Sequence, residues 1–198
     1  MGGAAPLSWA LIGLSVLVIG TGGLRLISQE GDCSQPDIQC TIKSSSCFDF
    51  SWLQTFNWTP NAPSHMEVTV GIGQNELGRR VPLLQINWTI SIDSSIKELQ
   101  GVEISVLEVS TNVERCIQFQ FNSHFTKQAH LNGQPWQFYS NNFEVNPGQE
   151  YHVTVQHLPK QEGVNYKRKQ IIAPRCNDGD MMRTDTCCNL GMELWTAD

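Results

Sequence analysis

Apolar and polar residues alternate at a period of two through most of the chain between residues 66 and 172. The longest example has five apolar side chains at every second position: Leu84, Ile86, Trp88, Ile90 and Ile92. This alternation is typical of β-strands with one buried face. The same period predicts strands around residues 66–72, 102–106, 117–121, 136–138, 143–145 and 151–155, and the apolar pair Ile171-Ile172 is interpreted as a last edge strand.

Turn-forming residues separate the predicted strands, as at Asn132-Gly133 and Asn146-Pro147-Gly148. Several short strands without helical periodicity predict an all-β fold, an antiparallel β-sandwich over residues 64–172. Helical structure is expected only as one turn within residues 94–99. The turn at 146–148 leads into a strand that begins with Tyr151. Its hydroxyl can reach back to that corner, as in the tyrosine corner of immunoglobulin-like sandwiches, although an ordinary core tyrosine would fit the same pattern.

Three further segments flank or precede the sandwich. Residues 1–23 carry no charge and include an apolar run followed by small residues, which predicts a signal peptide cleaved after Gly23. The alternative is a transmembrane anchor with Arg25 on the cytoplasmic side, which would leave the cysteines in a reducing compartment. Residues 24–63 are interpreted as a loop region with three cysteines, and residues 173–198 as a cysteine-containing tail.

Seven cysteines follow the leader: Cys33, Cys40, Cys47, Cys116, Cys176, Cys187 and Cys188. No C-x-x-C spacing occurs, so their pattern favours disulfides over a zinc site. Cys33 and Cys40 are close enough in sequence to close a local loop, as are Cys176 and Cys187. Cys47 is then left to reach the distant Cys116. Closing that long loop would stabilise the fold by about 4 kcal/mol, against about 2.5 kcal/mol for the first short loop. One thiol is left over, and Cys187 and Cys188 compete for one partner.

Composition and charge narrow the class of protein. Of the 198 residues, 40% are hydrophobic and 16% are charged, which supplies a core and excludes a disordered chain. The formal net charge of -6 argues against nucleic acid as a partner, because phosphate binding needs clustered Lys and Arg. The same charge suits a basic protein partner.

Sequons at Asn57 and Asn87 predict glycans and an extracellular location, although Pro60 weakens the first.

Motifs for catalysis and for metal or cofactor binding are missing from the sequence. None of the five histidines lies in H-E-x-x-H, and neither G-x-S-x-G nor a phosphate-binding Gly loop occurs. His152 and His157 have an odd separation, so they fall on opposite faces of one strand and would not bind one metal. The basic run Lys167-Arg168-Lys169 is interpreted as a solvated strand edge. The sequence therefore predicts that the protein is not an enzyme and that it binds neither a metal nor a cofactor.

The strongest functional signal is a short aromatic loop, Cys47-Phe48-Asp49-Phe50-Ser51-Trp52-Leu53. Loops on rigid scaffolds often carry binding, and Trp is enriched among the residues that dominate interface energies. The alternative is that the aromatic side chains fold under the loop and close the open end of the sandwich. We expect this inward arrangement for Phe48 and Phe50, and the residues alone leave both arrangements open for Trp52.

Several motifs resemble the N-terminal ectodomain of the interleukin-17 receptors. They are Cys33-Ser34-Gln35-Pro36, Cys40-Thr41-Ile42-Lys43, Cys47 with Asp49, Ser51 and Trp52, Asn57 with Thr59 and Pro60, Ser105-Val106-Leu107, Asn112 before Cys116, Glu150-Tyr151 with Val153-Thr154-Val155, and His157-Leu158-Pro159-Lys160. With the cysteine spacings, the similarity covers essentially the whole chain after the leader. It implies a fibronectin type III-like β-sandwich with a disulfide-bonded N-terminal loop extension. It also implies the pairs Cys33–Cys40, Cys47–Cys116 and Cys176–Cys187.

The resemblance also implies a ligand. The family binds interleukin-17 cytokines, which are disulfide-linked cystine-knot dimers, and a co-receptor of the same family is a possible further partner. A Trp after the third cysteine enters a cytokine pocket, and a second contact loop precedes the fourth cysteine. On this chain the implied ligand-binding residues are Asp49, Ser51, Trp52, Leu53, Ser110, Asn112, Val113 and Glu114.

The chain departs from the family at several points. Phe50 stands where the family has an acid, the acid in Asn112-Val113-Glu114-Arg115 is displaced by one position, and Cys188 is an added cysteine. The second fibronectin-like domain, the transmembrane helix and the cytoplasmic signalling domain of the family are expected beyond Asp198. This sequence is therefore interpreted as a soluble, non-signalling form or as a fragment. The alternative function is a secreted structural or adhesion sandwich with another protein ligand.

Overall fold

Two antiparallel sheets pack face to face in the computed structural model, which describes residues 23–28, 30–33, 38–54, 58–91, 93–122 and 136–188. The strands are β1 (Arg25–Leu26), β2 (Glu30–Asp32), β3 (Cys40–Ser45), β4 (His65–Gln74), β5 (Arg80–Thr89), β6 (Gly101–Glu108), β7 (Val113–Phe121), β8 (Gln137–Glu144), β9 (Glu150–Leu158) and β10 (Tyr166–Ile172). One sheet has the order β1-β8-β5-β4, and the other has the order β10-β9-β6-β7-β3-β2. The predicted all-β sandwich is confirmed.

Aromatic side chains join the two sheets at the centre of the core. Trp88 of β5 is 1% exposed and stacks on Phe138 of β8, with ring centroids 5.5 Å apart. Its indole also meets the ring of Phe119, from β7 of the other sheet, edge to face at 5.2 Å. The alternating residues of β5, β6 and β9 therefore bury their apolar faces against each other, as their period requires.

The two strands predicted around residues 136–138 and 143–145 are one strand, β8. The prediction of separate strands was wrong because a β-bulge changes the phase of the alternation. Leu84 pairs with Phe143 and Ile86 pairs with Ser140, so β8 advances three residues while β5 advances two. The extra residue moves the buried positions from even to odd numbers without ending the strand.

The segment over residues 24–63 is not all loop, because it contributes β1, β2 and β3. The strand β3 pairs with β7 over its full length, from Cys40 opposite Phe121 to Ser45 opposite Cys116. Its apolar pattern is only two positions long, Cys40 and Ile42, which is too short to distinguish from a loop by period. Disulfides at both ends hold the strand, since Cys40 binds Cys33 and Cys47 binds Cys116.

The predicted tyrosine corner is confirmed. The amide of Asn146 donates to Tyr151 Oη at 2.8 Å, and that hydroxyl donates to Glu108 Oε1 at 3.1 Å. Tyr151 has no exposed surface, and its burial raises the pKa of the phenol. The single helical turn expected near residue 94 is also confirmed, as a 3-10 helix over Ser94–Glu98.

Residues 173–188 fold back on the sandwich. The disulfide Cys176–Cys187 closes this segment, and its Thr184 is fully buried. Asp185 accepts a hydrogen bond from the amide of Arg80, at the start of β5, at 2.8 Å. Cys188 is a free, exposed thiol. In the described part of the chain, none of the helices has the length and apolar character needed to cross a membrane.

Candidate functional site

The loop Cys47–Leu53, called the aromatic loop, lies across the outer face of the six-stranded sheet and is held at both ends. Cys47 forms a disulfide with Cys116 of β7. At the other end, the amide of Lys160 donates to the carbonyl of Trp52 at 2.7 Å, and the amide of Gln54 donates to the carbonyl of Lys160 at 2.9 Å. The loop is therefore fixed to β7 and to the residues that follow β9.

A capped helical turn shapes the middle of the aromatic loop. Asp49 Oδ1 accepts from the amide of Ser51 at 3.0 Å and from its hydroxyl at 2.5 Å, which caps the 3-10 helix Phe50–Trp52. These hydrogen bonds from Ser51 hold the pKa of Asp49 below its ordinary value. Asp49 therefore stays ionised near neutral pH, and the turn fixes the direction of its neighbours.

The aromatic side chains of the loop face solvent to different degrees. Phe48 is 71% exposed and Phe50 is 74% exposed, so the expectation that these two rings fold under the loop is wrong. Trp52 is half-buried, and Leu53 is 41% exposed. The reason is that the surface below the loop is polar, so it offers no apolar cavity to a phenyl ring.

That polar surface is a buried hydrogen-bond network around Glu103 of β6. Its carboxylate pairs with Lys160 Nζ and accepts from Ser45 Oγ at 3.0 Å and from Gln118 Nε2 at 2.8 Å. The side chains of Glu103 and Lys160 are only 5% and 12% exposed. The network therefore joins β3, β6, β7 and the end of β9 beneath the aromatic loop.

The second implied contact segment is the turn between β6 and β7. Its residues Ser110 and Asn112 are exposed, whereas Val113 and Glu114 are half-buried. Asn112 has φ 54, in the left-handed region that Asn tolerates better than most residues. This turn is tied to the tyrosine corner, because Glu108 accepts from Thr111 Oγ1 at 2.6 Å through its second oxygen.

Glu114 connects the two segments. Its carboxylate and the sulfur atoms of Cys47 and Cys116 all lie within 4.8 Å of one another. This trio is not a metal centre, because both sulfurs are consumed in the disulfide. Glu114 and the aromatic loop line one groove on the outer face of the six-stranded sheet, with a cavity volume of about 550 Å³. The exposed tip at Ser110 and Asn112 lies outside its lining.

Comparison with known proteins identifies the family. The sequence model described as IL17RA/B, N-terminal domain, matches residues 26–179. The chain belongs to the N-terminal domain family of the interleukin-17 receptors. Human interleukin-17 receptor A is 38% identical over 189 residues, which cover 93% of this chain and 21% of the human protein. The chain thus spans about a fifth of the length of that relative.

Family membership confirms the resemblance seen in the sequence. The three disulfides of the structure are also the pairs that an interleukin-17 receptor ectodomain implies: Cys33–Cys40, Cys47–Cys116 and Cys176–Cys187. The family is one of receptors and not of enzymes.

Sequence reasoning did not identify the residues that support the site. Glu103 lies between the core residues Val102 and Ile104, so its position predicts a solvated outward side chain. The aromatic loop instead covers it, which no period in the sequence could show. Lys160 belongs to a motif shared with the receptor family, and this was the one available signal.

Of the two glycosylation sequons, only the one at Asn87 lies within the residues that the structure describes. Asn57 lies outside the described residues. Asn87 is half-buried on the outer face of the four-stranded sheet, between Glu67 of β4 and Tyr139 of β8. It therefore lies on the sheet opposite to the one that carries the aromatic loop.

Proposed function

We propose that this chain is an extracellular cytokine-binding module and that it binds the cystine-knot dimers of the interleukin-17 family. The single observation that carries the proposal is the outward presentation of the aromatic loop. Phe48 and Phe50 expose apolar rings on a loop fixed by a disulfide and by main-chain bonds to Lys160. A preformed apolar surface of this kind loses little conformational entropy when a partner covers it.

In this proposal Trp52 enters an apolar pocket of the cytokine. Asp49 and Ser51, which are bonded to each other, fix the direction of the helical turn that carries the indole. Leu53 extends the apolar contact at the end of the loop. The turn residues Ser110, Asn112 and Glu114 contribute the polar rim, and Val113 adds a small apolar contact between them. The name of the human relative, interleukin-17 receptor A, supports this choice of ligand.

The position of Asn87 supports the same choice of face. A glycan on Asn87 would cover the outer surface of the four-stranded sheet and exclude a protein partner there. The groove beside the aromatic loop lies on the opposite sheet, so a glycan on Asn87 would leave it open. A co-receptor of the same family would then meet the bound cytokine rather than this groove.

Surface plasmon resonance of Trp52→Ala against the interleukin-17 family cytokines tests the proposal. We expect a loss of at least about 2 kcal/mol, roughly thirtyfold in Kd, because a buried Trp often dominates an interface. The matched control is Trp58→Ala, since Trp58 lies nearby and is 86% exposed but is not part of the aromatic loop. Equal affinities for the two variants would contradict the role of Trp52, and a wild-type chain that binds none of these cytokines would favour an adhesion module.

A further inference from the structure

The groove has a second wall, opposite the aromatic loop, which the family resemblance does not assign. This wall is formed by β9 and β10, and the side chains of Thr154, Gln156, Tyr166 and Arg168 line it. Arg168 pairs with Thr154, Thr154 pairs with Ser105, and Ser105 pairs with Cys116. Paired residues of antiparallel strands place their side chains on one face. A row of small polar side chains therefore runs from the guanidinium to the disulfide of the aromatic loop.

The basic run on β10 is divided between two faces of the sheet. Lys167 and Lys169 pair with Val155 and Val153, whose side chains point into the core, whereas Arg168 pairs with the outward Thr154. Lys167 Nζ donates to the carbonyl of Ser64 at 2.6 Å. The run lies on β10, the edge strand of the six-stranded sheet, and Arg168 and Lys169 are exposed, as the interpretation of a solvated edge requires. Arg168 also lines the groove.

The guanidinium of Arg168 is oriented before any ligand binds. Its Nε donates to Thr154 Oγ1 at 3.1 Å, and its Cζ lies 5.8 Å from the centre of the Tyr166 ring. Among the described residues, no carboxylate lies within ion-pair distance of it. The other cation in the groove, Lys160, is already paired with Glu103. Arg168 is therefore available to an acidic group from outside the chain.

We propose that this wall is a second contact surface for the cytokine, in which Arg168 binds a carboxylate of the ligand and Tyr166 contacts an apolar side chain beside it. The occupant is an extended segment of the cytokine with an acidic and an apolar side chain, so this inference rests on the proposed function. A planar guanidinium matches a carboxylate through two parallel hydrogen bonds. Apolar contact is available from Phe50, which is 74% exposed, and from Tyr166, which is 38% exposed, in the same groove.

The volume of the groove agrees with such an occupant. At about 550 Å³ it can hold a few side chains, and polar residues such as Glu103, Ser105 and Thr154 are part of its lining. Its walls carry unlike charges, because Arg168 lies across the row from Glu114, beside the disulfide, while Asp49 and Glu162 also line the groove. This arrangement would favour one direction of the ligand segment over the reverse one.

Binding of Arg168→Gln to each interleukin-17 family cytokine, at low and at high salt, tests this inference. Gln retains a donor for Thr154 but carries no charge. We expect Kd to rise at least about tenfold at low salt, because charge-assisted hydrogen bonds are the stronger ones, and we expect a weaker salt dependence than in the wild type. The matched control is Lys169→Gln, which removes the same charge from the same strand on the other face. Arg168→Lys keeps the charge but loses the planar fork, so an intermediate Kd is expected.

The outcomes separate the two proposals. If Arg168→Gln and Lys169→Gln bind alike while Trp52→Ala loses affinity, the second wall is overturned and the proposed function stands. If the wild-type chain binds none of the cytokines, the proposed function fails and the occupant named here fails with it. Thermal unfolding of each variant shows whether the fold is retained. If Arg168→Gln does not fold, the Kd of Arg168→Lys is compared with that of Lys169→Gln instead.

Discussion

The imidazole of His157 donates its Nδ1 proton to the main-chain carbonyl oxygen of Asn61, in the segment that follows the aromatic loop. His157 is 1% exposed, and its Nε2 has no hydrogen-bond partner among the described residues. Burial lowers the pKa of His157 to about 4, although the Asn61 carbonyl and the charge of Asp93 both favour protonation. The ring is therefore neutral and holds the proton on Nδ1.

This neutral imidazole should make the fold sensitive to acid. The folded pKa of about 4 lies below the unfolded value of 6.5, so the unfolded chain binds more protons between these values. The contribution of His157 to stability is thus present above pH 6.5 and is lost as the pH falls toward 4. Between pH 7 and pH 5 we expect a loss of about 2 kcal/mol from this group.

Chemical denaturation of the wild type and of His157→Asn at both pH values measures the effect. Asn keeps a donor for the Asn61 carbonyl but does not titrate, so its pH dependence should be flatter by that amount. Parallel slopes for the wild type and His157→Asn would show that this imidazole is not the sensitive group.

The disulfide of the aromatic loop should contribute to stability and to binding together. Replacing Cys47 and Cys116 by Ser opens a loop with a sequence separation of 69, and we expect the free energy of unfolding to fall by about 4 kcal/mol. Cytokine affinity should fall as well, because one end of the loop is released. Replacing Cys33 and Cys40, with a separation of 7, should cost about 2.5 kcal/mol and leave affinity unchanged. Equal affinity losses in the two double variants would contradict a specific role for the loop.

The ion pair beneath the loop should show strong coupling. In Lys160→Met, the buried carboxylate of Glu103 loses its counter-charge, and we expect a loss of about 3 kcal/mol from the free energy of unfolding. The double variant Glu103→Gln with Lys160→Met should recover part of this loss, since no buried charge remains. A double-mutant cycle measured by urea denaturation gives the coupling energy, and strict additivity would argue against the pair.

The tyrosine corner should be worth a moderate amount of stability. Tyr151→Phe removes the hydroxyl that accepts from the amide of Asn146 and donates to Glu108 Oε1. Because both hydrogen bonds are lost, we expect the free energy of unfolding to fall by about 1–3 kcal/mol. Tyr139→Phe is the control, since Tyr139 is 49% exposed on the four-stranded sheet. Thermal unfolding should show a lower Tm for Tyr151→Phe alone, and a matching shift for Tyr139→Phe would remove the basis for the assignment.

Removing the glycan from Asn87 should leave cytokine affinity unchanged. Asn87→Gln expressed in a secretory cell line should lose the mass of one glycan, as measured by intact mass spectrometry before and after glycosidase treatment. We expect its cytokine affinity to equal that of the wild type, because Asn87 lies on the sheet opposite to the groove. A clear change in affinity would place ligand contacts on the four-stranded sheet instead.

The fold was largely predictable because the signals for its strands and turns lie within short stretches of the sequence. A period of two along β5, β6 and β9 is set by residues within one strand, and the turn before Tyr151 is a short local signal. The bulge in β8 was not predictable in the same way, since it depends on how Leu84 and Ile86 pair with a distant segment.

The candidate site was predictable only in part. The aromatic loop is visible as a composition of three aromatic residues after a cysteine, but the direction of Phe48 and Phe50 depends on what lies beneath them. That surface is built by Glu103 and Lys160, which are 57 residues apart in the chain. Side-chain burial that arises from such distant contacts leaves no periodic trace in the sequence.

The way the aromatic loop is held has an evolutionary consequence. Its ends are fixed by a disulfide at Cys47 and by main-chain bonds between Trp52, Gln54 and Lys160, whereas the rings of Phe48 and Phe50 face solvent. Mutations at positions 48 and 50 can therefore accumulate at little cost to folding. Ligand preference could drift among related receptors by substitutions at these two tips while the underlying scaffold stays under purifying selection.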